Sequence, residues 1–364
     1  MTEAADRPST GRRSGAGRVD REDGRSRRRT PRGGRVTIDQ VAAAAGVSNA
    51  TVSRAMAGRP VRADLAERVL AAAAELGYQP NRAAQAIASG TYQMIGVVVP
   101  DVQNPYFSGV LKRITRSAGG SGYRVLVADA NDDPGEEFAL ARSLLPQVDG
   151  LVLVSPRMPD TDLRRLAEES GRMVLVNRGP SGVALPTITV DAFAATMKVC
   201  GLLVGLGHRD VVYLGGPPAA WQEQQRWRAL QHAEAFGLGA RRLAGGSTVE
   251  DGYRVAEEAL ATGASAIVAF NDLLAIGVVH RLLELGVDVP GRVSVTGADD
   301  IPFAACLRPS LTTTRSPRDE LGDATWDALV AAMAGESPEP PALPEPELVV
   351  RDSTGPAPGG GRAG

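Results

Sequence analysis

Val36-Thr37-Ile38-Asp39-Gln40-Val41-Ala42-Ala43-Ala44-Ala45-Gly46-Val47-Ser48-Asn49-Ala50-Thr51-Val52-Ser53-Arg54-Ala55-Met56-Ala57 reads as two short helices joined by a tight turn. Thr37 stands just before an alanine-rich run, and Gln40 three residues later makes the two a capping box. Gly46 supplies the left-handed residue that ends the run. Ser48 then caps a second helix, Asn49 to Ala57, with Thr51 three residues on; Gly58-Arg59-Pro60 breaks it. A third helix is predicted from about Ala63 to Leu76, with Leu65, Val69, Leu70 and Ala73 on one face and Gly77 closing it. Two helices around a glycine turn, buttressed by a third, form a helix-turn-helix. The polar second helix favours that reading over an ordinary three-helix fragment. Its Asn49, Thr51, Ser53 and Arg54 can hydrogen-bond to base edges or phosphates, while Val47, Val52 and Met56 suit packing onto the first helix.

Residues 1–35 hold eleven arginines against five acids and almost no large apolar side chain. The tail 1–34 is therefore expected to be disordered, either an arm on the DNA backbone or a solvated extension. It has no apolar core of the kind a signal peptide needs. The whole chain of 364 residues has a net charge of −2, so the basic character is local. No apolar run approaches the ~18 residues that span a bilayer. Cys200 and Cys306, far apart and with no CxxC, are expected to be reduced, packed thiols in a cytoplasmic protein, with no metal site.

From Met94 the pattern changes. Met94–Val99 is a continuous apolar strand bounded by Pro100, and helix-like and strand-like segments alternate from there. Further strands are predicted at Arg124–Ala128, Gly150–Val154, Met173–Val176, Val211–Leu214, Ala266–Phe270, Val293–Gly297, Leu311–Thr314 and near Leu348–Val350. Helices are predicted between them, the last at Asp319–Ala332. Apolar strands alternating with helices mean parallel sheets covered on both faces. The chain is long enough for two doubly wound lobes with a ligand between them, at the carboxyl ends of the strands.

At this point the chain resembles the LacI/GalR family of repressors over nearly its whole ordered length. The resemblance rests on Val36–Ala42, Ala45–Ser48 and Thr51–Arg54; on Glu75-Leu76-Gly77-Tyr78-Gln79-Pro80-Asn81; and on Ile95–Asp101 with Asn104-Pro105-Tyr106-Phe107. Leu206-Gly207-His208-Arg209, Phe270-Asn271-Asp272, Val295–Pro302 and Pro309–Thr313 extend it. It implies an α/β protein: an N-terminal all-α helix-turn-helix domain (35–80), a hinge helix and linker (81–92), and a two-lobed periplasmic-binding-protein-like effector and dimerisation domain with doubly wound parallel sheets (93–352). The N-lobe is expected at about 93–189 plus 318–345, the C-lobe at about 190–314 plus 346–352, and a disordered tail at 353–364.

The resemblance also implies partners and roles. The partners are double-stranded operator DNA, a second copy of the chain as a homodimer, and a small-molecule effector, a sugar before a purine or nucleoside, acting as inducer or as corepressor. No membrane partner is expected, and the place of work is the cytoplasm, at the nucleoid. DNA-binding residues carried over are Thr37, Ser48, Asn49, Ala50, Thr51, Ser53, Arg54, Tyr78, Asn81, Ala84 and Ile87. Asn49 can contact adenine with two hydrogen bonds, Ala50 offers only a methyl, and Arg54 can reach guanine or phosphate. Ile87 stands where the family wedges a leucine into the minor groove; its β-branch makes it stiffer.

Around the cleft the resemblance places Tyr106, Phe107, Asn177, Arg226, Ser247, Asn271 and Asp299. Arg226 donates, Asp299 accepts and each Asn does both, which suits vicinal hydroxyls. Tyr106 and Phe107 are candidates for an apolar wall. Ser247 falls where some sugar-binding relatives place a tryptophan, with Trp221 a candidate to take over stacking. Arg178 is expected in the cleft or at its rim.

Two rival classes are weighed. A sugar-binding transport protein has the same two lobes but needs an export signal and no helix-turn-helix. A nicotinamide-dependent enzyme needs a GxGxxG after a strand; that motif and GxxxxGK[ST] are both missing from the sequence. His208, His232 and His280 have no nucleophile-base spacing and read as surface or satisfied core residues. No cofactor and no catalysis are expected.

Overall fold

The computed structural model describes residues 36–79, 91–179, 182–336, 339 and 341–358. By contact the chain divides into two compact units, Met1–Asn81 and Arg82–Gly364, and each is described by itself.

The first unit holds α1 (Ile38–Ala45), α2 (Asn49–Met56) and α3 (Ala63–Leu76). The signals that predicted them operate here. Gln40 Oε1 accepts from the Thr37 amide at 2.9 Å. Gly46 and Gly77 take φ of +63° and +64°, where a side chain would be strained. Ser48 Oγ accepts from the Thr51 amide at 3.3 Å, capping α2. The core is Val41, Ala42 and Ala45 from α1, Val52 from α2, and Val69, Ala72 and Ala73 from α3. Arg68 donates to the Ala45 carbonyl at 2.5 Å, satisfying an acceptor at the end of α1. One expectation is corrected. Leu70 is 53% exposed, because α3 turns Val69, Ala72 and Ala73 inward instead.

The second unit opens with a parallel sheet. It comprises β1 (Met94–Val99), β2 (Arg124–Asp129), β3 (Gly150–Val154), β4 (Met173–Val176) and β5 (Thr187–Ile188). Its strand order is β2-β1-β3-β4-β5. The connecting helices are α4 (Pro105–Gly120), α5 (Pro134–Leu144) and α6 (Asp160–Glu169). A second parallel sheet follows, β6 (Asp210–Gly215), β7 (Gly239–Ala244), β8 (Ala266–Ala269) and β9 (Ser294–Thr296), in the order β7-β6-β8-β9. It is wound with α7 (Ala192–Gly205), α8 (Trp221–Ala233), α9 (Val249–Ala261) and α10 (Asp272–Glu284). The chain then forms β10 (Thr313–Arg315), α11 (Arg318–Met333) and β11 (Glu347–Val349). β10 and β11 pair antiparallel, and α11 packs back on β3, β4 and α4 of the first sheet. The chain therefore crosses between lobes more than once.

β3 and β4 are buried along their whole length, and β1 is buried from Ile95 on, as continuous apolar runs require. In both sheets the strand order reverses beside the first strand, between β1 and β3 and again between β6 and β8. Such switch points open crevices at the carboxyl ends of strands.

Two further expectations are corrected. The segment after Asp352 was expected to be disordered from 353 on, yet Ser353 is fully buried and Gly355 packs against Pro290. Its glycines and prolines look like a frayed end, but the backbone finds partners in the second sheet. Cys200 is buried as expected, whereas Cys306 is exposed, just beyond the short turn Pro302–Ala305.

Candidate functional site

In the first unit Thr37, Ser48, Asn49, Ala50 and Arg54 are exposed, and Thr51, Ser53 and Tyr78 are half-buried. Ser48 to Arg54 thus present a polar strip along α2, opposite Val52. Asn49 Nδ2 donates to Asp39 Oδ1 at 2.6 Å, and the Ser48 and Thr51 hydroxyls pair at 3.0 Å. Asn81, Ala84 and Ile87 lie outside the described residues.

In the second unit all seven residues expected around the cleft line one cavity, with about 670 Å³ of empty space that includes its open mouth. Strand ends deliver them. Asn177 follows β4, Asn271 follows β8 and caps α10, and Asp299 follows β9. Asn177 and Asp299 take positive φ of +54° and +112°. Non-glycine residues held in such conformations cluster at functional sites.

The polar residues of the cavity separate by what their atoms already do. Asn177 donates to the Tyr106 hydroxyl at 2.8 Å and accepts from the Val190 amide at 3.1 Å. Asn271 donates to the Ser247 carbonyl at 2.9 Å and accepts from the Leu274 amide at 2.8 Å. Both amides therefore brace the walls. Arg226 and Asp299 differ. Their side chains are 12% and 10% exposed and approach to 3.7 Å, too long for a hydrogen bond. Among the described residues, neither charged group makes a hydrogen bond to protein. The Arg226 guanidinium lies over the Phe270 ring at 4.8 Å, which fixes its plane. Burial pushes the Asp299 carboxyl up to about 7, against the pull of Arg226 and Arg318. Tyr106 and Phe107 pack edge to face at 5.4 Å and form an apolar wall. Burial together with Asp299 pushes the Tyr106 hydroxyl up to about 12, so it remains a donor.

Two sequence expectations land elsewhere. Trp221 lies flat on Gly179, where an added Cβ would stand 2.2 Å from its ring, and is not part of the cavity lining. Arg178 turns away to Asp160, at 2.7 Å, and to the Pro156 carbonyl. Sequence reasoning missed Asp101, Asp132, Arg157 and Gln222, which also line the cavity. Asp132 and Arg157 sit in loops after β2 and β3, where a charged residue looks like ordinary solvated surface. The position just past an apolar strand was the available signal.

His208 is fully buried and satisfied, between Ser265 Oγ at 2.8 Å and the Gly355 carbonyl at 3.0 Å. Among the described residues no His, Cys, Asp and Glu cluster could hold a metal ion. No described helix is long and apolar enough to cross a membrane.

Comparison with known proteins gives two family matches: "Bacterial regulatory proteins, lacI family" over residues 37–81 and "Periplasmic binding protein-like domain" over residues 201–354. The chain is 33% identical over 339 residues to the HTH-type transcriptional regulator reg1 of Streptomyces lividans, covering 88% of this chain and 97% of that protein. Among solved structures it is similar to the lac repressor dimer bound to operator and the anti-inducer ONPF. There the TM-score is 0.79 at 27% identity, over 88% of this chain and all of that one. It is also similar to the transcriptional regulator CelR in complex with cellobiose, with a TM-score of 0.65 at 28% identity over 88% of this chain. The helix-turn-helix, the paired parallel sheets and these matches agree: the chain belongs to the LacI/GalR family of DNA-binding transcriptional regulators.

Proposed function

We propose that this protein is a repressor that binds operator DNA as a homodimer and changes its grip when a sugar fills the cleft between its lobes. The observation that carries the sugar reading is the Arg226–Asp299 couple: a donor fork and an acceptor, both nearly buried, 3.7 Å apart, with no hydrogen bond to protein among the described residues. A buried charge without hydrogen bonds is costly. A ligand offering adjacent hydroxyls, one accepting from Arg226 and one donating to Asp299, removes that cost for both groups. Relatives support the reading, since CelR was solved with cellobiose and the lac repressor as a dimer on its operator. Each chain would place α2 in the major groove, with Asn49 and Arg54 reading bases and Thr37, Ser48, Thr51, Ser53 and Tyr78 on phosphates. Asn81, Ala84 and Ile87 would complete the contact from the segment joining the two units. The sugar acts by differential affinity for two arrangements of the lobes, which shifts the population competent for DNA. The protein works in the cytoplasm at the nucleoid, and it is not an enzyme.

The test is to select bound fragments from the source genome, then titrate sugars and purines against the selected operator by fluorescence anisotropy. The expected result is salt-sensitive operator binding altered by at least one sugar and by none of the purines; the direction gives inducer or corepressor. A chain that binds no duplex selectively, or that responds to a purine alone, overturns the proposal.

A further inference from the structure

The first turn of α8 carries a buried acid that does not line the cleft. Glu223 is 1% exposed and stands three residues before Arg226. Its Oε2 accepts from the Tyr213 hydroxyl at 2.5 Å and from the Gly216 amide at 2.7 Å. Its Oε1 lies 2.7 Å from Arg242 Nη2, an ion pair whose arginine comes from the edge strand β7. Tyr213 stacks on Trp227 with ring centres 6.0 Å apart, and the Arg242 guanidinium lies over the same indole at 5.5 Å. Burial, with Glu223 beside it, holds the Tyr213 hydroxyl well above its usual range, so it stays a donor. Two routes lead from this carboxylate to Arg226. One is the helix. Ala220 gives α8 no side-chain cap, and Glu223 ties the first turn to β6 and to the residue just after it. The other runs through Gly216, whose amide Glu223 holds. An added Cβ on Gly216 would stand 2.4 Å from the Phe270 ring, so the ring packs directly on this backbone. Phe270 in turn supports the Arg226 guanidinium at 4.8 Å.

We infer that Glu223 is a positioning residue for ligand recognition: it fixes the start of α8 and the Gly216 backbone against Phe270, and so sets where the Arg226 guanidinium points. The inference rests on the sugar reading above and deepens it. Stability alone gives little reason for this acid. A buried carboxylate is costly to desolvate, and apolar side chains in place of a buried ion pair are often as stable or more so. Pre-organisation gives a reason. Arg226 makes no hydrogen bond to protein among the described residues, so its direction is set by what it packs on and by the helix that carries it. An arginine already fixed in the binding geometry loses less rotamer freedom when a ligand arrives.

The test uses the full chain with isotope-labelled arginine nitrogens and reads the Arg226 Nε–H resonance by NMR, identified by its loss in Arg226→Lys. The Phe270 ring should shift this resonance upfield, and Phe270→Leu should remove the shift. Glu223→Ala should remove most of it as well. Glu223→Gln, whose amide oxygen still accepts from Tyr213 and Gly216, should retain it. Calorimetry with maltose, cellobiose and galactose adds a second readout. Whichever sugar binds should bind Glu223→Ala about tenfold more weakly, and in an Arg226→Lys background that loss should shrink to less than about twofold. The unfolding midpoint reads whether each variant is folded. Should Glu223→Ala not fold, Tyr213→Phe removes one bond to the acid and should weaken the upfield shift. A folded Glu223→Ala with the wild-type Arg226 resonance overturns the inference while the sugar reading stands. So does an affinity loss that persists undiminished in the Arg226→Lys background, or, where Glu223→Ala does not fold, a wild-type resonance in Tyr213→Phe. If none of the sugars binds, the sugar reading falls and the resonance alone decides whether Glu223 positions Arg226.

Discussion

Asn49 Nδ2 donates to Asp39 Oδ1 at 2.6 Å, so the first residue of α2 is tied to the second residue of α1. The bond uses one of the two amide protons. It leaves the other, together with Oδ1, as the pair that a bidentate adenine contact needs. Asp39 therefore orients a base-reading side chain from outside the contact. Asp39→Ala is expected to lower the ratio of operator to non-specific affinity, about three- to tenfold, while raising non-specific affinity because an acid leaves the DNA face. Asn49→Ala should cost ~1–3 kcal/mol at one base position of each half-site. Anisotropy with operator and scrambled duplexes at fixed salt checks both; an unchanged ratio in Asp39→Ala removes the orienting role.

Asp299 couples the cleft to pH. Its carboxyl is pushed up to about 7 by burial, with Arg226 and Arg318 the opposing charges. A sugar hydroxyl donates more strongly to the carboxylate than to the neutral acid, so ligand affinity should rise as pH increases through 7. The stability sign is the reverse of the usual carboxylate case. Between about pH 4 and 7 the folded state holds a proton that the unfolded state has released, so stability falls as pH rises through that window. Above pH 7 the buried charge costs on the order of 2–4 kcal/mol. Asp299→Asn should be more stable than the parent at pH 8, by an amount that shrinks toward pH 5, and should lose sugar response. Urea unfolding at both pH values measures the difference; equal differences at pH 5 and 8 would exclude the mechanism.

The parts of this molecule that were legible in the sequence share a local cause. Thr37 with Gln40, Gly46, and Ser48 with Thr51 act within one turn of chain, and their hydrogen bonds need no distant partner. The same holds for β3, whose residues Gly150–Val154 are apolar throughout because both faces are covered. What escaped depends on partners far along the chain. β7 reads Gly239-Ala240-Arg241-Arg242-Leu243-Ala244, and its arginines hide an edge strand that pairs only with β6. β5 has only two residues. The cleft residues reached by resemblance were found, whereas Asp132 and Arg157 gain meaning only when loops after β2 and β3 meet. Ser353 lay in a stretch whose composition points to disorder, and its partners are dozens of residues away.

α9 and α10 cross on two glycines. A Cβ on Gly252 would stand 2.0 Å from the Leu274 carbonyl oxygen, and one on Gly277 would stand 2.0 Å from that of Val249. Helix propensity alone favours alanine over glycine by up to ~1 kcal/mol. Here the backbones must separate to admit a methyl, which costs ~1–3 kcal/mol or more. Gly252→Ala and Gly277→Ala should therefore lower the unfolding midpoint. Gly201→Ala in α7, where nothing lies within 4 Å, should raise it. Differential scanning calorimetry of the three variants separates crossing geometry from propensity, since propensity alone predicts three increases.

Ser353 closes the second sheet from the far end of the chain. Its hydroxyl donates to the Val295 carbonyl at 2.6 Å and accepts from the Thr312 amide at 2.8 Å, linking β9 to the segment that enters β10. Its own amide donates to the Ser310 carbonyl at 2.8 Å, and its carbonyl accepts from the Val295 amide, also at 2.8 Å. The side chain is fully buried, so water cannot replace it. Ser353→Ala leaves a buried carbonyl and a buried amide without a side-chain partner, and should cost about 1–3 kcal/mol. β9 leads directly into Asp299, so the loss should reach the cleft as well. Sugar affinity should fall even though no ligand atom touches residue 353. Ser353→Thr keeps the hydroxyl but must fit an extra methyl, and Ser353→Cys keeps the volume with a weaker donor. The cysteine variant should fall between serine and alanine in stability. Urea midpoints with calorimetric sugar affinities for the three variants check the chain of cause, and wild-type stability in Ser353→Ala would show that the segment around residue 353 is not held by this hydroxyl.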